Sequence, residues 1–382
     1  MNRVYIVAAR RTAIRPKNGD LKTTPFYDLA SFAIRALMHD LSSSTCSRGI
    51  DVPDDQPVGP LDIHSLIAGN ALGAGGNPAR LMALAAGLSQ QIPALTVDTQ
   101  CCSGLDAIGL AYERLRASSS TGPTTIFAGG SESVSLAPLR RDRHSGQTYE
   151  EAPFTPWPDR DPTMIEAALN LSNARDFRHE VIHDWAGRSF RAEASRRSIV
   201  ACIGLASDRE PRLLTPKLLR RLAGFKPFNP ALMAPLADGA AFVALTTDPP
   251  LAHSESSVLE ILDYRQAGAD PQIPGLSCAV LADWLSACET DFQFHRQQMV
   301  VSLMESFVVQ VLANIQDLDL NPDLVNPWGG LLSRGHPIGA SGAVLVCDLF
   351  DNLLPGQIGL AIIPAAGGLA SGLLVRRLSE SP

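Results

Sequence analysis

No apolar run in this sequence approaches the ~18 residues that a membrane-crossing helix needs, so no span is expected. The opening MNRVYIVAARRTAIR holds only a short apolar stretch, which reads as a first strand and not as a secretory signal. No long basic run is present and the formal net charge is −7, which argues against nucleic acid or an anionic membrane surface as the main partner. No CxxC pair occurs. The seven cysteines (Cys46, Cys101, Cys102, Cys202, Cys278, Cys288 and Cys347) are odd in number and irregularly spaced, so a zinc site or disulfide framework is not expected. Free thiols in a reducing cytoplasm fit better. The stretch GAGGNP (73–78) lacks both the GK[ST] ending and the GxGxxG spacing of a phosphate loop. The acidic residues show no metal-ligand spacing, so neither a metal nor a resident cofactor is expected.

What is present is an ordinary globular composition, 45% hydrophobic and 19% charged over 382 residues. That is enough chain for a large core and two or three domain-sized units. VYIVAA (4–9) reads as a buried strand and residues 26–41 as a helix, followed by a Ser-, Pro- and Asp-rich loop over 42–60. DIHSLIAGNALG reads as a strand and a glycine turn. Residues 77–88 read as a helix capped by Asn77 with Pro78 at its first position. ALTVDTQ (94–100) is strand-like, and Leu105, Ile108, Tyr112 and Leu115 line one face of the helix after it. TTIFAGGSES (124–133) is another strand. This alternation predicts an α/β layer fold. Residues 136–165 then turn rich in Arg, Asp and Pro, and 166–225 read as mainly helical, an inserted subdomain. The arginines of 140–225 suit either a phosphorylated handle or a solvated helical face. After the strand at 238–248, the last 140 or so residues repeat the alternation: a strand at SVLEILDYRQAG, helices at GLSCAVLADWLSAC, MVVSLMESFVVQVLANI and GASGAVLVCDLFDNL, and a glycine-linked hairpin at the end. A Gly/Ser-rich turn precedes a helix in each half, which reads as an internal duplication.

Three stretches carry chemistry. In DTQCCSGLDAIG (98–109), Cys101 stands between a strand and a helix entrance, where backbone N–H groups and the helix dipole favour thiolate. A thiolate suits acyl transfer from thioesters. The local pattern alone fits two small buried hydrophobes better. In GGLLSRGHPIGASGA (329–343), His336 is held in a glycine-rich turn, able to stabilise an oxyanion or share a proton with a thiol, or simply to bond backbone. The other seven histidines lack such a setting. In PAAGGLASG (364–372), the glycines let N–H groups face a ligand, or make a plain hairpin turn.

With these residues in view the chain resembles the thiolases, nearly end to end. VYIVAARRTAIR is similar to the family's opening strand, and GNALGAGGNPARLMALAAGL to its dimer-side segment. CCSGLDAIGLAYERL is similar to the nucleophile motif C-G-S-G, with Cys101 on the nucleophile and Cys102 on the first glycine. FAGGSESVSLAP, DGAAFVAL and GGLLSRGHPIGASGA follow in the family's order. The resemblance implies an α/β fold of duplicated halves layered αβαβα, each half with a five-stranded sheet. The first half would be residues 1–250, with an inserted loop domain at about 136–230 that covers coenzyme A, and the second 251–382. It also implies a homodimer or tetramer. The implied chemistry is acyl transfer to Cys101 followed by Claisen condensation with a second acyl-CoA, or the reverse thiolysis. The acyl-CoA or acyl-carrier thioester is substrate.

The departures from the family pattern are as telling. Pro364 stands where the family usually has its second, proton-moving cysteine. Met304 stands where an Asn holds an oxyanion-hole water, while Glu305 and Phe307 match. Thr163 replaces a histidine in a substrate-contacting stretch, followed by a matching Met164, and Ala234 replaces a serine beside the pantetheine arm. What the resemblance leaves is Cys101, His336, and a hole made by the amides of Cys101 and Ala366 next to Gly367. That set suffices to form and break an acyl-cysteine, but the parts that deprotonate an acetyl-CoA α-carbon are missing. Three readings follow: a thiolase-like acyltransferase passing the acyl group to a carbon (decarboxylatively where the donor is malonyl-type), an amine or water; an orthodox thiolase with Glu305 or Cys102 as relocated acid/base; or a non-catalytic subunit of a synthase complex.

Overall fold

The computed structural model describes residues 1–46, 63–119, 122, 124–190, 197–208, 214–215, 217–218, 221, 229–247 and 257–379. The expected boundary at residue 250 and parts of the expected loop domain lie outside these, as do residues 47–60 of the expected 42–60 loop.

Nine principal strands carry the fold: β1 (Val4–Arg11), β2 (Ile63–Gly69), β3 (Ala94–Val97), β4 (Thr125–Ser133), β5 (Ala237–Thr246), β6 (Leu259–Gly268), β7 (Val300–Leu303), β8 (Ile358–Ala365) and β9 (Leu369–Arg377). They form one sheet in the order β7-β8-β9-β6-β1-β5-β4-β2-β3, with Arg15–Pro16 pairing onto β5 as a tenth strand. The duplication is legible in that order. From β1 outward, β1-β5-β4-β2-β3 has antiparallel, antiparallel, parallel and parallel pairs. From β6 outward, β6-β9-β8-β7 repeats the first three, and the parallel bridge of Val301 to Val325 is all that remains of the fifth strand. The equivalent strands β1 and β6 pair antiparallel, Val4 opposite Ile261 and Ile6 opposite Leu259. Antiparallel pairing of like with like sets a local two-fold axis between the halves. The first half keeps the expected five-stranded sheet, the second has four strands and that bridge in place of five, and the two are joined into one.

Side chains alternate across the strands and sort the layers. Ala241, Val243 and Leu245 of β5 face a central core with Leu373 and Val375 of β9. That core holds helices α3 (Ser103–Arg116) and α8 (Ser341–Asn352). Ala240, Phe242 and Ala244 face the opposite way, against α1 (Phe26–Cys46) and α2 (Pro78–Ala85). Ala370 and Leu374 likewise face an outer core with α4 (Met164–Arg175), α5 (His179–Ser189), α6 (Ala282–Phe292) and α7 (Val308–Asp317). The result is αβαβα. The α3 face Leu105, Ile108, Tyr112 and Leu115 is buried, and so are Ala107 and Ala111 on other sides, because a middle-layer helix meets sheet and helix all round. Asn77 caps α2, its side chain accepting from the amide of Arg80 at 3.2 Å.

Two expectations fail locally. Residues 299–315 are not one helix: Val300–Leu303 is the buried strand β7, and the helix begins at Val308. A four-residue apolar strand beside an apolar helix reads as a continuous helix because neither period is resolved. Residues 275–288 likewise split into a 3₁₀ stretch, Pro274–Leu281, and α6.

Candidate active site

Cys101 lies in a tight turn between β3 and α3. Gln100 before it has a positive φ of 56°, a conformation that costs a non-glycine residue on the order of 1 kcal/mol. Ser103 holds the turn, accepting from the Thr99 amide at 2.9 Å and donating to the Gln100 carbonyl at 2.5 Å. Behind it, buried Asp106 accepts from Thr99 Oγ1 (2.5 Å), the Tyr264 hydroxyl (2.8 Å), Gln266 Nε2 (2.5 Å) and the Ser371 hydroxyl. Burial raises the Asp106 pKa, and these four donors oppose the rise. Asp106 therefore ties the nucleophile turn to β6 and β9 of the second half.

His336 reaches the same place from the second half. Gly335 adopts φ 119°, which only glycine takes readily. The His336 amide donates to the Pro235 carbonyl at 2.7 Å, and its carbonyl accepts from Ala237 at 3.2 Å. Nδ1 lies 2.6 Å from Ser341 Oγ, and Nε2 lies 3.2 Å from Cys101 Sγ. Ser341 spends its one proton on the Pro337 carbonyl at 3.1 Å. Its oxygen must therefore accept from Nδ1–H, which leaves Nε2 bare toward the thiol.

Burial favours the neutral form of both partners. Burial pushes the Cys101 thiol up to about 12, against the backbone amides of Ala366 and Cys101 that point at the sulfur. Burial pulls His336 down to about 4. The amides expected at this turn do favour thiolate, but burial opposes them. α3 starts two residues beyond Cys101, and desolvation outweighs the amides.

Cys101, His336, Ala366, Met164, Ala234 and Phe307 line one cavity of about 480 Å³. Four other candidates lie off it. Met304 is fully buried in the central core, its carbonyl accepting from Gln310 Nε2 at 3.1 Å. Pro364 lines a separate narrow apolar cavity of about 20 Å³, shared with Met164 and Phe307. Thr163 faces an outer groove and caps α4, its hydroxyl accepting from the Glu166 amide at 3.3 Å while the Glu166 carboxylate accepts from the Thr163 amide at 2.9 Å. Gly367 (φ 76°) makes the turn that presents the Ala366 amide. Neither relocated acid/base is free. Glu305 accepts from Trp185 Nε1 (3.0 Å), Ser189 Oγ (2.7 Å) and the Leu332 amide (3.1 Å). Cys102 is fully buried and donates to the Ile363 carbonyl at 3.4 Å.

Three residues around the site were not singled out from sequence: Asp106, Ser341 and Glu132. Glu132 is buried in β4 and accepts from the amides of Ala71 and Gly339, both at 3.0 Å, and from Asn70 Nδ2 at 3.0 Å. Burial lifts it to about 7, against those amides. A charged residue inside an apolar strand was the available signal. Among the described residues no three His, Cys, Asp or Glu gather as a metal site, and the helical pair His179 and His183 has no third partner of that kind.

Known proteins match along the same lines. A model described as the thiolase N-terminal domain matches residues 4–156, and one described as the thiolase C-terminal domain matches 256–377. VraB of Staphylococcus haemolyticus, named as an acetyl-CoA C-acetyltransferase, is 32% identical over 345 residues, covering 82% of this chain and 87% of VraB. YhfS of Bacillus subtilis, named likewise, is 30% identical over 397 residues, covering 99% of this chain and 100% of YhfS. The crystal structure of the Bacillus anthracis acetyl-CoA acetyltransferase superposes with a TM-score of 0.80 at 25% identity, covering 99% of each chain. In fold, the Acat5 thiolase of Ascaris suum, crystallised with coenzyme A, is similar with a TM-score of 0.82 at 24% identity, covering 98% of this chain and 100% of its own. Identity at this level, sustained across both halves of the duplicated fold, shows that this chain belongs to the thiolase family and is an acyltransferase.

Proposed function

We propose that the chain takes an acyl group from a coenzyme A thioester onto Cys101 and passes it to a carbon nucleophile in a Claisen-type condensation. The observation that carries this is the 3.2 Å approach of a bare imidazole nitrogen to a thiol in the lining of a cavity of about 480 Å³. As Sγ attacks the thioester carbon, Nε2 takes its proton. The amides of Cys101 and Ala366 receive the developing oxyanion. The carbon–sulfur bond to the carrier then breaks, and the leaving thiolate takes the proton from His336. No resident metal or cofactor takes part in this reading.

The donor of the second step is read as malonyl-type, because loss of CO₂ makes the carbanion without a base. Proline at position 364 has no proton to move, and Glu305 and Cys102 are both occupied. The names of VraB and YhfS favour a second reading, reversible acetoacetyl-CoA formation. General acid/base help is worth about 10²–10⁴-fold, so that activity is expected to be weaker than the decarboxylative one by a comparable factor. Leu81 and Leu84 of α2 and Leu95 of the sheet-edge strand β3 are exposed, which supports a homodimer or tetramer through this edge. Six free, buried cysteines support a reducing, cytoplasmic setting, and no described helix is long and apolar enough to cross a membrane.

Intact-protein mass spectrometry after incubation with acyl-CoAs from acetyl to dodecanoyl tests the central step. An acyl adduct is expected on the wild type and none on Cys101→Ala. Absence of any adduct across the panel removes the proposal.

A further inference from the structure

Resting on that reading, we propose that the Ser306 hydroxyl is a catalytic hydrogen-bond donor, directed at the carbonyl oxygen of the carbon donor that condenses with the acyl-cysteine.

The argument starts from a shortage. The carbon donor becomes an enolate in the second step, and its oxygen needs donors in a site sheltered from water. The amides of Cys101 and Ala366, which point at the resting sulfur, serve the oxygen of the acyl-cysteine itself in this reading. Ser341 holds His336 in the tautomer whose Nε2 carries no proton. Once the first thiolate has left with the shared proton, His336 again has nothing to donate at Nε2. Met304 is buried away from the cavity, and its thioether could not donate in any case.

The cavity wall was then searched for a hydroxyl or amide that the fold leaves unspent. Ser135 is spent, donating to Asp238 at 2.5 Å. Lys17 and Arg140 bind Glu150 at the exposed side. Glu150 and Glu151 carry carboxylates, which accept. Gln100 has no side-chain partner among the described residues, but it stands directly beside the nucleophile. Ser306 is different. Its amide donates to Gln310 Oε1 at 3.1 Å and its carbonyl accepts from Ala234 at 3.0 Å, so its backbone is fixed. Its hydroxyl has no partner among the described residues. It lines both the main cavity and the narrow one beside Pro364.

Placement supports the role. The segment 233–237 runs between Ser306 and His336. Ala234 bonds Ser306 on one side, and Pro235 and Ala237 bond His336 on the other. Two strand-like spacings separate the two backbones, about 10 Å. An oxygen held between them is within reach of the serine hydroxyl. Ser306 also follows Glu305, whose three hydrogen bonds anchor the segment to α5 and to Leu332. The donor is therefore mounted on a rigid base.

The test separates the two steps. Wild type, Ser306→Ala and Ser306→Thr are loaded with an acyl-CoA, the adduct is quantified by mass, and malonyl-CoA or acetyl-CoA is added in a single turnover. Loading is expected to be unchanged in all three, which also shows that the variants fold. Condensation is expected to fall about 10²–10³-fold in Ser306→Ala and to be largely restored in Ser306→Thr. A ketone analogue of acetyl-CoA gives a direct readout, since its bound carbonyl stretch should move to higher frequency in Ser306→Ala. Normal loading with condensation within about threefold of wild type in Ser306→Ala overturns the role of Ser306 alone. A wild type that loads but condenses with neither donor overturns it together with the carbon-bond reading, and a wild type that never loads removes the acyl-cysteine itself.

Discussion

Burial favours the neutral forms of Cys101 and His336, and this sets how the nucleophile behaves before substrate arrives. With the thiol pushed up to about 12, thiolate is scarce at neutral pH. Reaction with iodoacetamide should accordingly be slow at neutral pH and rise about tenfold per pH unit from 8 to 11. A rate already maximal at pH 7 would show a preformed thiolate and contradict the burial argument. The imidazole titrates in the opposite sense. Its folded pKa is lowered, so it stays an available base as pH falls through the ordinary histidine range and is lost only near 4. Acyl loading should therefore lack an inflection near pH 6.5. The same shift acts on stability. Above 6.5 both folded and unfolded chains hold the imidazole neutral. Between 6.5 and 4 only the unfolded chain takes up the proton, so the His336 contribution to stability is lost as pH falls through that window.

At the scale of elements, the site exists because two glycine-bearing turns interlock. A Cβ on Gly130 of β4 would stand 2.0 Å from the Gly339 carbonyl, one on Gly69 2.6 Å, and one on Gly104 2.8 Å. Strands β2 and β4 and helix α3 therefore close on the backbone that follows His336. Gly130→Ala should displace that turn, destabilise the protein by about 1–3 kcal/mol and slow acyl loading at least tenfold. Denaturant unfolding and single-turnover loading check this, and a variant with wild-type stability and loading would mean that the halves are not locked there. The elements that hold the catalytic pair were legible because each carries its own local signal: a short strand, a Gly/Ser turn, and an apolar face at helical spacing. β7 was not, since VVSL is too short to show a period before the helix that follows. Asp106, Glu132 and Ser306 were not recognised either, for a different reason. Their meaning lies in partners far along the chain: Tyr264 for Asp106, Gly339 for Glu132, and the cavity itself for Ser306. Met304 and Pro364 were visible as departures, but only the fold shows that both side chains lie off the main cavity.

Across the whole molecule, four buried charges join parts that are distant in sequence. Arg11 of β1 makes a two-pronged pair with Asp208, at 2.8 Å on both prongs, and Asp208 also accepts from the Ile14 amide at 2.9 Å. Arg334, two residues before His336, binds Asp348 of α8 in the same manner and lies 4.0 Å from Asp208. The four residues are all at most 5% exposed, and two arginines balance two carboxylates. Taking four charges out of water is costly, and such a cluster is tolerable only when every member is paired. It ties the segment 197–208 to the first strand and to the turn that carries His336. The segment's other bonds reinforce this: Ser198 donates to Asp351 of α8 and pairs through its carbonyl with Arg11. Asp208→Asn keeps the shape but removes one negative charge, leaving Arg11 and Arg334 to share Asp348. It should destabilise the protein by about 3–5 kcal/mol, measured by urea unfolding. Replacing Arg11 by Met in the same chain removes the orphaned charge and should recover most of that loss. A loss below about 1 kcal/mol in Asp208→Asn, or no recovery in the double variant, would show that the cluster is not what binds the loop segment to the catalytic halves.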